Sequence, residues 1–569
     1  MVLKIIVFSI FYPKSNSMLT SLFRSFSLLL IFLAVTALLF SCNQGKKAGI
    51  PVFSENYKDY VLTLSSPEFE GRSPTTPGGR KTVAFIEQEF RRIGLKPASG
   101  DSYLQTVPLV ETTAKNFSPL RINGEAGELL LASLEDFVIG TSRLDEKITL
   151  NESELVFAGY GIVAPEYGWD DYKNIDVSGK TVVVLINDPG FELKDPDFFT
   201  GFAMTYYGRW TYKYEEAIRQ GAEAVLIVHE TEPASYGWDV VRNSWSGPQY
   251  KVGGNNGSTT LLLEGWLHKN AAEALLKKAG STLEDLKGKA LDRSFQAFSL
   301  GLKASLSFDA AHVTSMCYNV AGYVEGSEYP DETIVYMAHW DHLGKEEGAD
   351  GPIVYHGAID NATGTAAIMA IAEKFAVMDP PPARSVVFVA VTAEESGLIG
   401  SAYYAQNPLF PLEKTVGGIN IDGLNVFGPT HDISVVGYNA SQMQDYLARF
   451  AEEQNRVLKP ERHPERGSFF RSDHFNLVLQ GVPMLYAGSG RDFVGRAESY
   501  AKWAEDELKR IYHSTHDVVY DYWDWSGIDQ DLWLFYKVGK ELATTRNWPQ
   551  WNENSEFRAI REASEYLRQ

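Results

Sequence analysis

The sequence predicts an α/β fold in which a largely parallel mixed sheet is sandwiched by helices, with a β-rich α+β segment inserted into it. Three observations carry this. From Tyr318 onward, short apolar runs alternate with helical patterns, as consecutive βα units require. Between Leu109 and His312 the pattern changes to short β runs with few helices. The helical segments before Leu109 have no sheet of their own, so they belong with the later one. A chain of 569 residues also exceeds the size at which one hydrophobic core keeps growing.

In chain order, residues 53–65 and 79–93 carry helical spacing, the second through Val83, Phe85, Ile86, Phe90 and Ile93 before a stop at Gly94. Between them Glu70-Gly71-Arg72-Ser73-Pro74 and Thr76-Pro77-Gly78-Gly79 form a turn-rich loop. The inserted stretch offers strands at 155–160, 181–186, 224–229 and 298–308, with helices near 212–220 and 269–279. The alternating part then runs strand 333–339, helix 363–377, strand 385–392, helix 399–406 and strand 416–421. This divides the chain into 43–110 and 313–569 as the two parts of one catalytic domain, and 111–312 as the insertion.

The chain has ample apolar material, 44% hydrophobic against 22% charged, and a net charge of −21. So acidic a balance argues against nucleic-acid binding. Residues 28–40 are almost unbroken apolar sequence, preceded by Arg24 and closed by Ser41 and Cys42, and are followed at once by Asn43-Gln44-Gly45-Lys46-Lys47. That is the pattern of an export signal, with Met18 as a second possible start, and the run is short for a bilayer span. Leu39-Phe40-Ser41-Cys42 resembles a bacterial lipoprotein signal. The resemblance implies cleavage after residue 41, a membrane tether through lipidated Cys42, and an exported protein facing the periplasm or cell surface. Cys317 then has no intramolecular partner and reads as a small buried thiol.

In an open α/β sheet, functional groups gather beyond the carboxyl ends of the strands. His339 and Asp341 follow one predicted strand, Glu394-Glu395 the next, and Asp422 a third. A ligating imidazole needs its second ring nitrogen fixed by an acceptor, and Asp341 is spaced for that. In Gly357-Ala358-Ile359-Asp360-Asn361, either Asp360 or Asn361 can cap the helix that follows, and Asn361 doing so frees Asp360 to bridge two cations. Adjacent Glu394 and Glu395 repel each other unless a cation compensates; one can ligate while the other acts as a general base. Tyr512-His513-Ser514-Thr515-His516-Asp517 supplies a further histidine, either His513 or His516. Mixed imidazole and carboxylate donors favour zinc over magnesium or calcium, and five donors exceed what one tetrahedral zinc needs.

The order His339, Asp360, Glu394-Glu395, Asp422, His513 closely resembles the zinc aminopeptidase and glutamate-carboxypeptidase superfamily, the peptidases related to bacterial leucyl aminopeptidase and to the transferrin-receptor ectodomain. The resemblance implies two zinc ions per chain, one on His339, Asp360 and Asp422 and the other on Asp360, Glu395 and His513. It implies Glu394 as general base for a metal-bridging hydroxide, Asp341 as the residue orienting His339, and peptides as substrates. Phe69-Glu70-Gly71-Arg72 and Arg471-Ser472-Asp473-His474-Phe475 resemble further segments of that family, the second near its active-site rim, where His474 has a packing role. Residues 179–184 and 217–228 look like part of a protease-associated domain. Within this resemblance an aminopeptidase is the leading expectation. A glutamate-carboxypeptidase-like enzyme, a glutaminyl cyclase and a non-catalytic receptor-like relative are the alternatives. Arg72, Arg471 and Arg491 are the candidates for binding a substrate carboxylate.

Overall fold

The computed structural model describes residues 50–568 apart from 197, 254–259, 350 and 554. The expected export signal and Cys42 lie outside the described residues. Among those described, no helix is long and apolar enough to cross a membrane.

Helices α1 (Tyr57–Leu64) and α2 (Pro77–Ile93) form as their patterns require. The Thr76 side chain accepts from the Gly79 N–H at 3.2 Å, Pro77 opens α2 where no donor is needed, and Gly94 closes it in the left-handed region. Val83, Ile86 and Phe90 form its buried face.

Strand β1 (Leu104–Lys115) leads into the inserted stretch, whose strands β2 (Lys147–Phe157), β3 (Thr181–Leu185), β4 (Ala224–His229) and β5 (Leu263–His268) run parallel in that order. Parallel neighbours need crossover connections. Helix α3 (Trp210–Arg219) supplies the one between β3 and β4, and α4 (Trp238–Ser246) lies between β4 and β5. Helices α5 (Lys269–Lys278) and α6 (Leu283–Ala290) follow. The sequence pattern omits α4 and α6, because α4 is mostly exposed, with Val241 alone buried, and α6 is short, so neither shows a long apolar period.

Strand β6 (Phe298–Val324) is 27 residues long and joins the two regions. Its first half pairs antiparallel with β2, its second half with β1, and its end with β8 (Arg384–Val391). Residues 110 and 111 fall inside β1, and 312 and 313 inside β6.

The main sheet is ordered β6, β8, β7 (Tyr329–His339), β9 (Thr415–Asn420), β11 (Met484–Ser489), β10 (Asp432–Val436). Strands β8, β7, β9 and β11 are parallel, and β6 and β10 flank them antiparallel. Strand β8 is buried throughout, as a parallel strand covered on both faces must be. Ile334, Tyr336 and Ala338 of β7 pack with α7 (Thr363–Ala376) and α10 (Ser526–Thr544), while Val335 and Met337 face the opposite layer. Tyr336 donates to the Phe535 carbonyl of α10 at 2.8 Å, an approach that Gly539 permits, since a Cβ there would lie 1.8 Å from the tyrosine oxygen. Parallel direction brings His339, Val391 and Asn420 to one edge of the sheet.

Candidate active site

Three loops leave that edge and a fourth segment closes over them. His339 ends β7; its Nε2 lies 3.3 Å from Asp360 Oδ1 and 3.2 Å from Asp422 Oδ1. His513 follows helix α9 (Glu498–Ile511), and its Nε2 lies 3.1 Å from both Asp360 Oδ2 and Glu395 Oε2. Asp360 thus turns one oxygen to each histidine. Ligand-type atoms of His339, Asp360 and Asp422 all lie within 4.8 Å of one another, as do those of His342, Asp360 and Glu395. The five expected donors converge, and His342 joins them.

Each donor is held from behind. The Asp517 carboxylate accepts from the Ile359 and Asp360 N–H groups at 2.8 and 3.0 Å. Asn361 Oδ1 accepts from the Gly364 and Gly423 N–H groups, so it takes the capping work and Asp360 is free of it. Ser472 donates to Asp422 Oδ2 at 2.6 Å, leaving Oδ1 for the site. The Asp341 carboxylate, assigned by the sequence pattern to His339, lies 3.9 Å from its Nδ1, too far for a hydrogen bond. The Asp341 carbonyl takes that place at 3.2 Å, because the chain turns directly after β7, and the carboxylate accepts from the Glu394 and Glu395 N–H groups instead.

Glu395 is pinned by His342 and His513. Among the described residues, the Glu394 carboxylate has no hydrogen-bond or ion-pair partner. Burial pushes it well above the usual carboxylate range, and Asp422, Asp473 and Glu395 add to this against the pull of His339. Burial works against charge on Asp360 too, yet its bonds from His339 and His513 hold it far below its ordinary value. Burial likewise disfavours a charged His513, but Asp360 and Glu395 push it up to about 10. So many carboxylates in a buried space call for positive charge, and the imidazole and carboxylate donors are the set that suits zinc.

Arg72 is fully buried, and its guanidinium donates to the carbonyls of Leu64, Trp340, His356, Gly357 and, at 3.5 Å, Asp360. It clasps the site loops and has no donor to spare for a substrate. Arg491 pairs with Glu505. Arg471 lies over the Tyr236 ring at 5.6 Å, and Arg209 of the insertion, 8% exposed with no acceptor for its Nε, is near enough to Arg471 for that positive charge to work against its own. Arg209 was not singled out in the sequence, where an arginine opening a helix looks like any solvated one. His474 is buried against Phe469 and Tyr486, and burial pushes it down to about 3, which suits packing. His516 is exposed and off the site.

Residues 319–537 match Peptidase family M28, and all five donors and Glu394 lie within the match. The family expected from the order of the site residues is borne out over that stretch. Aminopeptidase NAALADL1 of Mus musculus is 34% identical over 114 residues, 19% of this chain and 14% of that protein. Leupeptin-inactivating enzyme 1 of Streptomyces exfoliatus is 26% identical over 238 residues, 38% of this chain and 50% of that one. The chain therefore spans half or less of the length of these relatives. An aminopeptidase from Aneurinibacillus sp. strain AM-1 superposes with a TM-score of 0.47 at 18% identity, over 87% of this chain and 95% of the other.

Proposed function

We propose that the family M28 segment at residues 319–537 makes this chain a zinc-dependent exopeptidase holding two zinc ions, which releases residues from the amino end of peptides. The observation that carries this reading is the division of Asp360, with Oδ1 toward His339 and Oδ2 toward His513. His339, Asp360 and Asp422 would hold one ion, and Asp360, Glu395 and His513 the other. Bound there, zinc supplies Lewis-acid polarisation of a carbonyl and a water acidic enough to ionise near neutral pH. Glu394 takes the proton from the attacking water and returns it to the leaving amine, a task for which its carboxylate is free and its affinity for protons raised. Asp341 steadies the turn that presents it.

Release from the carboxyl end is the second reading, favoured by Arg471 and Arg209, which lack carboxylate partners among the described residues and bring positive charge beside the segment of Ser472. A panel of aminoacyl and N-blocked chromogenic peptides decides between them. Cleavage of the free-amine substrates alone is expected, and cleavage confined to N-blocked peptides would reverse the choice.

Export and anchoring belong to the same proposal. The leader ends in Leu39-Phe40-Ser41-Cys42, and acyl chains on Cys42 would tether the enzyme to a membrane facing the periplasm or cell surface. Labelling with a radioactive fatty acid should mark the chain and fail to mark Cys42→Ala; equal label in both would end this part of the proposal.

A further inference from the structure

Glu395 has two oxygens and two histidine neighbours. Its Oε2 faces His513 Nε2 at 3.1 Å, on the side of Asp360. Its Oε1 faces away, 2.8 Å from Nδ1 of His342. A metal-ligating carboxylate here can be a one-oxygen ligand with its other oxygen hydrogen-bonded, or it can rotate and chelate through both. What holds Oε1 decides which.

We propose that His342 is a positioning residue for the second metal, donating Nδ1–H to Glu395 Oε1 and so restricting Glu395 to ligation through Oε2. This rests on the two-zinc reading of the site.

A carboxylate only accepts, so the short contact fixes the proton of the neutral imidazole on Nδ1. The ring cannot turn away. It is 1% exposed, and its Cδ2 edge abuts Gly357 so closely that a Cβ there would lie 2.6 Å from it. Gly357 is in the left-handed region at φ +58°, doubly closed to a side chain. The His513 ring stands across it at 71° with centroids 5.7 Å apart. Gly357 also gives its carbonyl to Arg72 at 2.7 Å, so the support runs from Arg72 through Gly357 to His342 and ends on Glu395. Hydrogen bonds of this kind behind a ligand are worth about 10–100-fold in metal affinity.

His342 is also close enough to Asp360 and Glu395 to be a ligand itself, and the test separates the two roles. In His342→Asn the amide N–H can reach where Nδ1–H was, whereas His342→Ala has no donor. Zinc affinity of the intact chain is measured by competition with a chromogenic chelator, beside Glu395→Ala. The expected result is weakening of one of two zinc sites by about 10–100-fold in His342→Ala, near-complete recovery in His342→Asn, and loss of that site in Glu395→Ala. Unchanged affinity in His342→Ala overturns the proposal. So does an equal loss in the Ala and Asn variants, which would make His342 a ligand or a packing residue. Retention of both zincs in Glu395→Ala would remove Glu395 from the ligand set and the proposal with it, whereas a parent chain that binds a single zinc would overturn the two-zinc reading beneath it.

Discussion

Asp517 accepts the main-chain N–H of Asp360 at 3.0 Å, and through this bond the segment that carries His513 fixes the loop that carries the residue shared by both halves of the site. The same carboxylate holds the Ile359 N–H at 2.8 Å. Metal held at this site would therefore be coupled to the fold of this loop.

Replacing Asp517 by Asn turns one accepting oxygen into a donor facing an N–H. The variant should lose about 1–3 kcal/mol of stability, the cost of an unsatisfied buried polar group. Zinc affinity should fall at both sites, because Asp360 serves both. Urea unfolding and chelator competition check this; a loss confined to one site would contradict the shared role of Asp360.

Arg72 should tolerate no substitution, lysine included. Five carbonyls share its fork, and an ammonium group cannot reach them in the same plane. Arg72→Lys and Arg72→Met should each cost about 3 kcal/mol or more, since several buried acceptors are left unpaired. A midpoint of urea unfolding for Arg72→Lys equal to that of the parent chain would show that the clasp is dispensable.

Chelation should lower the thermal midpoint, and zinc should restore it, because ligands that bind only the folded state stabilise it by about 2.7 kcal/mol at a hundred times Kd. Asp360→Asn should show little of this response. A midpoint indifferent to chelator in the parent chain would count against zinc as a resident ion.

Burial pushes the Cys317 thiol up to about 12. It should stay protonated at pH 8 and react with a thiol reagent only after unfolding, as judged in a chain with Cys42 replaced by serine. Rapid labelling of the folded chain would contradict the buried placement.

Much of the sheet and site was legible because parallel strands buried on both faces write themselves as apolar runs. Helix α8 (Ile399–Gln406) and strand β4 coincide with the sequence reading, and the donors after β7, β8 and β9 stand out as acids and histidines closing such runs. What was not legible depends on distant partners. His342 follows Asp341 by one residue and looks like any polar turn residue until Glu395 is brought to it. Ser472 becomes visible as the support of Asp422 only when residues 50 apart in the chain meet. The Asp341 carboxylate was given to the wrong neighbour because spacing along a chain says nothing of how sharply it turns. Strand β6 hides the junction at 312 and 313, since the chain stays extended through it even though no residue from 311 to 316 is buried and the alternation lapses there.

The central claim is that Glu394 moves the proton at a two-zinc site without holding the metal. Glu394→Gln keeps the shape and removes the base. Zinc content by elemental analysis should remain two per chain while peptide hydrolysis falls by at least about 10²-fold, the usual contribution of a general base. Turnover within a few-fold of the parent enzyme, with both ions bound, would contradict the account.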